Sequence, residues 1–103
     1  MKDFIYAGDI LQNLILNLKN SQFAREIKIA FFWEDVVGEL LSSKTYLRKL
    51  TNNVLFVGVY NSVWLQEMLL QKDDIIKNLN KYLMRKERIK DIYFYISERK
   101  LRI

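Results

Sequence analysis

The sequence has no cysteine, no histidine, no proline and only three glycines in 103 residues. The absence of cysteine excludes disulfides and thiolate metal sites and is compatible with a cytoplasmic address. The absence of histidine removes the commonest general base, the commonest metal ligand and every Cys/His or Ser/His nucleophilic pair. Only carboxylates and lysines remain for catalysis. Of these, Glu34, Asp35 and Glu39 fall on the polar side of a helix, and Asp73-Asp74 reads as a cap or a solvated turn. Gly8, Gly38 and Gly58 are too far apart to form a phosphate-cradling loop. The expectation is a non-enzyme with no cofactor, no metal and no small-molecule substrate. No apolar run approaches the roughly 20 residues that span a bilayer, and Asp3 and Asp9 lie where a signal peptide would be basic and then apolar. A soluble, cytoplasmic protein without a membrane partner is expected.

What is present is an apolar half of the composition, enough for one compact domain at this length. The net charge of +5 is concentrated late in the chain. From Lys77 onward nine cations, among them Arg85, Lys86, Arg88, Lys90, Arg99, Lys100 and Arg102, face only Glu87, Asp91 and Glu98. A localised basic excess is the footprint of a phosphate-binding surface, or else of a solubilising face.

Hydrophobic spacing predicts a helix over residues 9–19, with Ile10, Leu11, Leu14, Ile15 and Leu18 on one side. A second helix carries Phe23, Ile27, Ala30, Trp33, Val37 and Leu40, and ends near Gly38. Beside that stripe runs another, Ile29, Phe32 and Val36, which is either wedged inside the domain or left as an apolar strip for a protein partner. Residues 45–50 and 54–60 read as strands joined by Asn52-Asn53, a pair that tolerates the left-handed conformations of a tight hairpin. A long helix follows from Asn61-Ser62 to Leu83, with a break near residues 72–74, and a last strand spans residues 89–96. The order α-α-β-β-α-β points to an α+β fold, a three-stranded antiparallel sheet with helices packed on one face. Residues 1–96 form the single domain and 97–103 a short basic tail.

Alternation in the last strand puts Ile92, Phe94 and Ile96 on one face and Tyr93 and Tyr95 on the other. If the helices cover the first face, the tyrosines lie on the open one, shared with Arg48 or Lys49 according to register. Rings interleaved with cations suit single-stranded nucleic acid, because bases stack while phosphates pair with Lys and Arg. Arg85, Lys86, Arg88 and Lys90 lie in the connection before the last strand. Cations at a helix C-terminus also answer its dipole, a structural explanation for Arg85 and Lys86.

The run Phe32-Trp33-Glu34-Asp35-Val36-Val37-Gly38, the strand Leu55-Phe56-Val57-Gly58-Val59, the group Ser62-Val63-Trp64-Leu65 and the closing Ile92-Tyr93-Phe94 together resemble the DciA-like family. In that resemblance Trp33, Val37 and Gly38 correspond to a first motif, and Ser62, Trp64 and Leu65 to a second. It implies a KH-like domain and a bacterial DNA-replication accessory role: binding the replicative DNA helicase, binding single-stranded or junction DNA, and assisting helicase loading. The sequence lacks the Gly-x-x-Gly loop with which a KH domain clamps a nucleic-acid backbone, so DNA contact would use other cations. An RNA-binding KH-like module, and a protein-protein adaptor using the strip Ile29, Phe32 and Val36, are the alternatives.

Overall fold

A computed structural model describes residues 21–97; the segment 9–19 and the tail cations Arg99, Lys100 and Arg102 lie outside the described residues. Helix α1 spans Ser21–Val37. It buries Ile27, Ile29 and Trp33, with Ala30, Val36 and Val37 packed against the same core. Phe32 stacks on Tyr82 with ring centroids 4.2 Å apart. Of the second apolar stripe of α1, Ile29 is fully buried and Phe32 and Val36 are half-buried, an arrangement that favours the wedged reading of the stripe over the partner strip.

Gly38 ends α1 with φ +93° and ψ 159°, a conformation open almost only to glycine. A short helix, α2, follows at Glu39–Ser43. The change of direction takes Leu40 off the α1 stripe and leaves it exposed. The corner is closed by a buried relay. Trp33 Nε1 donates to Thr45 Oγ1 at 3.0 Å, and the Thr45 hydroxyl donates to the Leu41 carbonyl at 2.8 Å.

Strands β1, Thr45–Thr51, and β2, Val54–Val59, form the antiparallel hairpin. Asn52 and Asn53 both have positive φ, 53° and 66°, in the two-residue turn whose twist matches that of paired strands. Helix α3, Ser62–Leu70, is capped by the Asn61 side chain, which accepts from the backbone N–H groups of Val63 and Trp64 at 3.1 Å. Gln71 separates it from α4, Lys72–Asn80. The expected long helix is thus two, and the second stops three residues short of Leu83.

A 3₁₀ turn at Arg85–Glu87 leads into β3, Asp91–Ile96. This strand runs parallel to β2, from Val54 opposite Asp91 to Val59 opposite Ile96. The sheet has the order β1-β2-β3 and is mixed, which corrects the all-antiparallel sheet expected of a KH-like domain. Residues 60–90 leave one end of β2 and return to the other through α3 and α4, and a crossover of that length is what a parallel pair requires. The α+β class stands. Leu50, Leu55, Val57, Val59, Ile92 and Phe94 meet Ile29, Met68, Ile75 and Leu79 in one core, so the helices cover one face of the sheet.

A Cβ built on Gly38 meets nothing within 4 Å, so Gly38→Ala probes backbone strain alone. It should lower unfolding free energy by about 1–3 kcal/mol with no cavity or clash. A reduced urea midpoint at unchanged slope is the expected result; an unchanged midpoint would mean that the corner relaxes freely.

Candidate nucleic-acid interface

The open face of the sheet is organised by an irregularity in β1. Leu47 pairs with Val57, but the next partner, Phe56, faces Lys49, leaving Arg48 as an extra residue. In a regular strand Leu47 and Leu50, three apart, would point to opposite faces. The bulge brings both to the core side, where Leu50 is buried and Leu47 packs against the cluster. The same insertion puts both Arg48 and Lys49 on the open side, where sequence alternation allowed only one of them. With Phe56, Tyr93 and Tyr95 they line an open depression of about 390 Å³.

The rings form a continuous row. Phe56 and Tyr93 have centroids 5.5 Å apart, and Tyr93 and Tyr95 are stacked at 5.9 Å with 24° between planes. Lys49 Nζ lies 4.9 Å from the Phe56 centroid. More than half of the Tyr93 surface is exposed, at 55%. Phe56 was not singled out from the sequence, although the alternation of β2 separates it from Leu55 and Val57 and so marks it as open-face.

Arg85, Lys86, Arg88 and Lys90 are all exposed on the connection between α4 and β3. Because α4 ends at Asn80, Arg85 and Lys86 do not occupy its last turn, and the dipole explanation for them fails. The connection is pinned to the hairpin-turn end of the sheet. Lys90 N–H donates to the Asn53 carbonyl at 2.8 Å. The Asn80 amide brackets Ile89, donating to its carbonyl at 3.0 Å and accepting from its N–H at 2.8 Å. Glu87, 7% exposed, accepts from Lys28 Nζ and from the Met84 N–H, both at 2.8 Å. Arg25 donates to Asn53 Oδ1 at 2.7 Å and to the Glu87 carbonyl at 3.3 Å. The basic connection, the turn and α1 thus share one polar network.

Two carboxyls carry the mark of these contacts. Burial opposes ionisation of Glu87, but the hydrogen bonds from Lys28 and Met84, with the charges of Lys28 and Arg25, outweigh it and hold the group below its ordinary value. At Asp91, also held below its ordinary value, the hydrogen bond from Lys72, whose Nζ lies 2.8 Å away, comes first, and the Ile92 N–H adds to it.

The motif residues are dispersed around the corner between α1, β1 and α3. Trp33 is buried, Val37, Trp64 and Leu65 are half-buried against the core, and Ser62 is exposed at the start of α3. Lys44 Nζ lies 5.4 Å from the Tyr60 ring centroid and 5.7 Å from that of Trp64. None of these residues lines the depression on the open sheet face. Among the described residues, no helix is long and apolar enough to cross a membrane. The model of one protein family, described as Dna[CI] antecedent, DciA, matches residues 7–94. No curated protein matches the chain.

The Glu87 contacts give a signed pH dependence. A carboxyl held below its ordinary value of 4.5 stabilises the fold fully above that pH, and the contribution is lost as pH falls through the lower folded value. Thermal midpoints should therefore drop on acidification in that window. Glu87→Gln should be less stable at neutral pH and follow a flatter curve there; parallel curves for the two proteins would assign the acid transition to other groups.

Proposed function

Since the chain belongs to the Dna[CI] antecedent, DciA, family, we propose that it is a non-enzymatic DNA-replication accessory module of the bacterial cytoplasm. In this reading it binds the replicative helicase together with single-stranded or junction DNA and assists helicase loading. The observation that carries the DNA part is the bulge in β1, which sets Arg48 and Lys49 beside the row Phe56, Tyr93 and Tyr95. Bases would stack on the exposed ring of Tyr93 and its neighbours while phosphates pair with the two cations. Arg85, Lys86, Arg88 and Lys90, at the end of the same sheet, would extend the phosphate path, with Arg99, Lys100 and Arg102 following in sequence. The domain would be KH-like in arrangement but would hold the strand by stacking and charge in place of a glycine-loop clamp.

Anisotropy of a labelled single-stranded DNA at several salt concentrations tests this reading. Affinity should fall steeply with salt, and replacing Arg48 and Lys49 by Ala should reduce the log–log slope by about 0.7 for each phosphate that is no longer neutralised. Tyr93→Ala should weaken binding by about 1–3 kcal/mol with the slope nearly unchanged, since it removes stacking and no charge. No binding at low salt, or binding indifferent to all three substitutions, would refute the site. Tighter binding of the matching ribo-oligomer would transfer it to RNA. Failure to co-migrate with the replicative helicase would remove the helicase part.

A further inference from the structure

The two edges of the sheet are protected unequally. The β1 edge carries the bulge and the two cations Arg48 and Lys49, the devices by which edge strands avoid pairing with other chains. The β3 edge has no bulge and no cation, and its one charged residue, Asp91 at the start of the strand, is held by Lys72 and accepts from the Ile92 N–H, both at 2.8 Å. Its sequence, Asp91-Ile92-Tyr93-Phe94-Tyr95-Ile96, contains no proline, no lysine and no arginine, and its ladder with β2 runs without a register shift. Beyond β3 no further strand pairs with it among the described residues. Ile96 pairs with the fully buried Val59 and lies on the core side of the sheet, yet it is 47% exposed. Apolar surface is thus left uncovered where the core meets this edge.

We propose that β3 pairs antiparallel with β3 of a second copy of the chain about a two-fold axis, giving a six-stranded sheet. The strand is self-complementary in the register that sets Phe94 against Phe94. Tyr93 then faces Tyr95 of the second copy on the open side, and Ile96 faces Ile92 of the second copy on the core side, which covers the exposed part of Ile96. Every cross-strand pair in that register keeps like faces together, as pleating demands, and aromatic and β-branched pairs of this kind stabilise a sheet. Such an isologous contact closes on itself and stops at two chains. It also joins the two open faces, so that the rings of one copy continue into those of the other.

Sedimentation without nucleic acid tests the pairing separately from any DNA binding. The mass should rise with concentration from 12.4 kDa to twice that value and no further. Ile96→Lys, a charge placed at a half-exposed edge position, should weaken the dimer by about tenfold or more while leaving the monomer folded by circular dichroism. Because the chain has no cysteine, Tyr93→Cys and Tyr95→Cys chains carrying different tags report the register. Mixed and oxidised, they should cross-link to one another much faster than either does to itself. A mass of 12.4 kDa at every concentration, a dimer indifferent to Ile96→Lys, or equal cross-linking in the mixture and in the separate variants would each overturn the proposal.

Discussion

The single extra residue in β1 governs both faces of this sheet. Without the bulge at Arg48 a strand of the same sequence would present either Leu47 or Leu50 to the helices, and the other would be stranded on the open side. With it, both leucines join the core and two adjacent cations emerge together on the opposite surface, beside three aromatic rings. Core register and surface charge are thereby one decision. A substitution that ironed out the bulge at constant length would disturb the packing and disperse the cationic pair at the same time.

The rest of the molecule holds that face in place from its two ends. At one end, Gly38, Trp33, Thr45 and the capped start of α3 form the corner where the chain passes from helix to sheet and back. The residues that carry the family resemblance are mostly here, and their interactions account for them as parts of this corner: an indole hydrogen-bonded inside the core, a glycine at a positive φ, and a tryptophan beside Lys44. At the other end, Asn80, Glu87, Asn53 and Arg25 fasten the basic connection to the hairpin turn. A loop bearing four exposed cations would otherwise repel itself. Tying its backbone through a buried carboxylate and an amide keeps the charges clustered without asking them to satisfy one another.

The hairpin was legible because Asn52-Asn53 advertises its turn chemistry and the flanking residues are β-branched or aromatic. The helix boundary at Gly38 and the sharing of one face by Tyr93 and Tyr95 followed from local spacing in the same way. The direction of β3 did not, because alternation is the same read forwards or backwards. The length of the connection over residues 60–90 was the available signal, since a chain that crosses the sheet returns parallel. The bulge left a subtler trace, two leucines spaced by three in a strand that should alternate. Phe56 was visible in the pattern of β2 but carried no charge to draw notice. Glu87 and its partners Lys28 and Arg25 are about sixty positions apart in sequence, and nothing local marks such a pair.

The parallel placement of β3 also bears on the order in which the sheet assembles. The Asn52-Asn53 turn brings β1 and β2 together over a two-residue loop, an event on the order of microseconds. The third strand must wait for the helices of the crossover, because its pairing with β2 spans far more chain and costs more closure entropy. Until it arrives, the apolar strand Val54–Val59 offers one bare edge to any neighbouring chain.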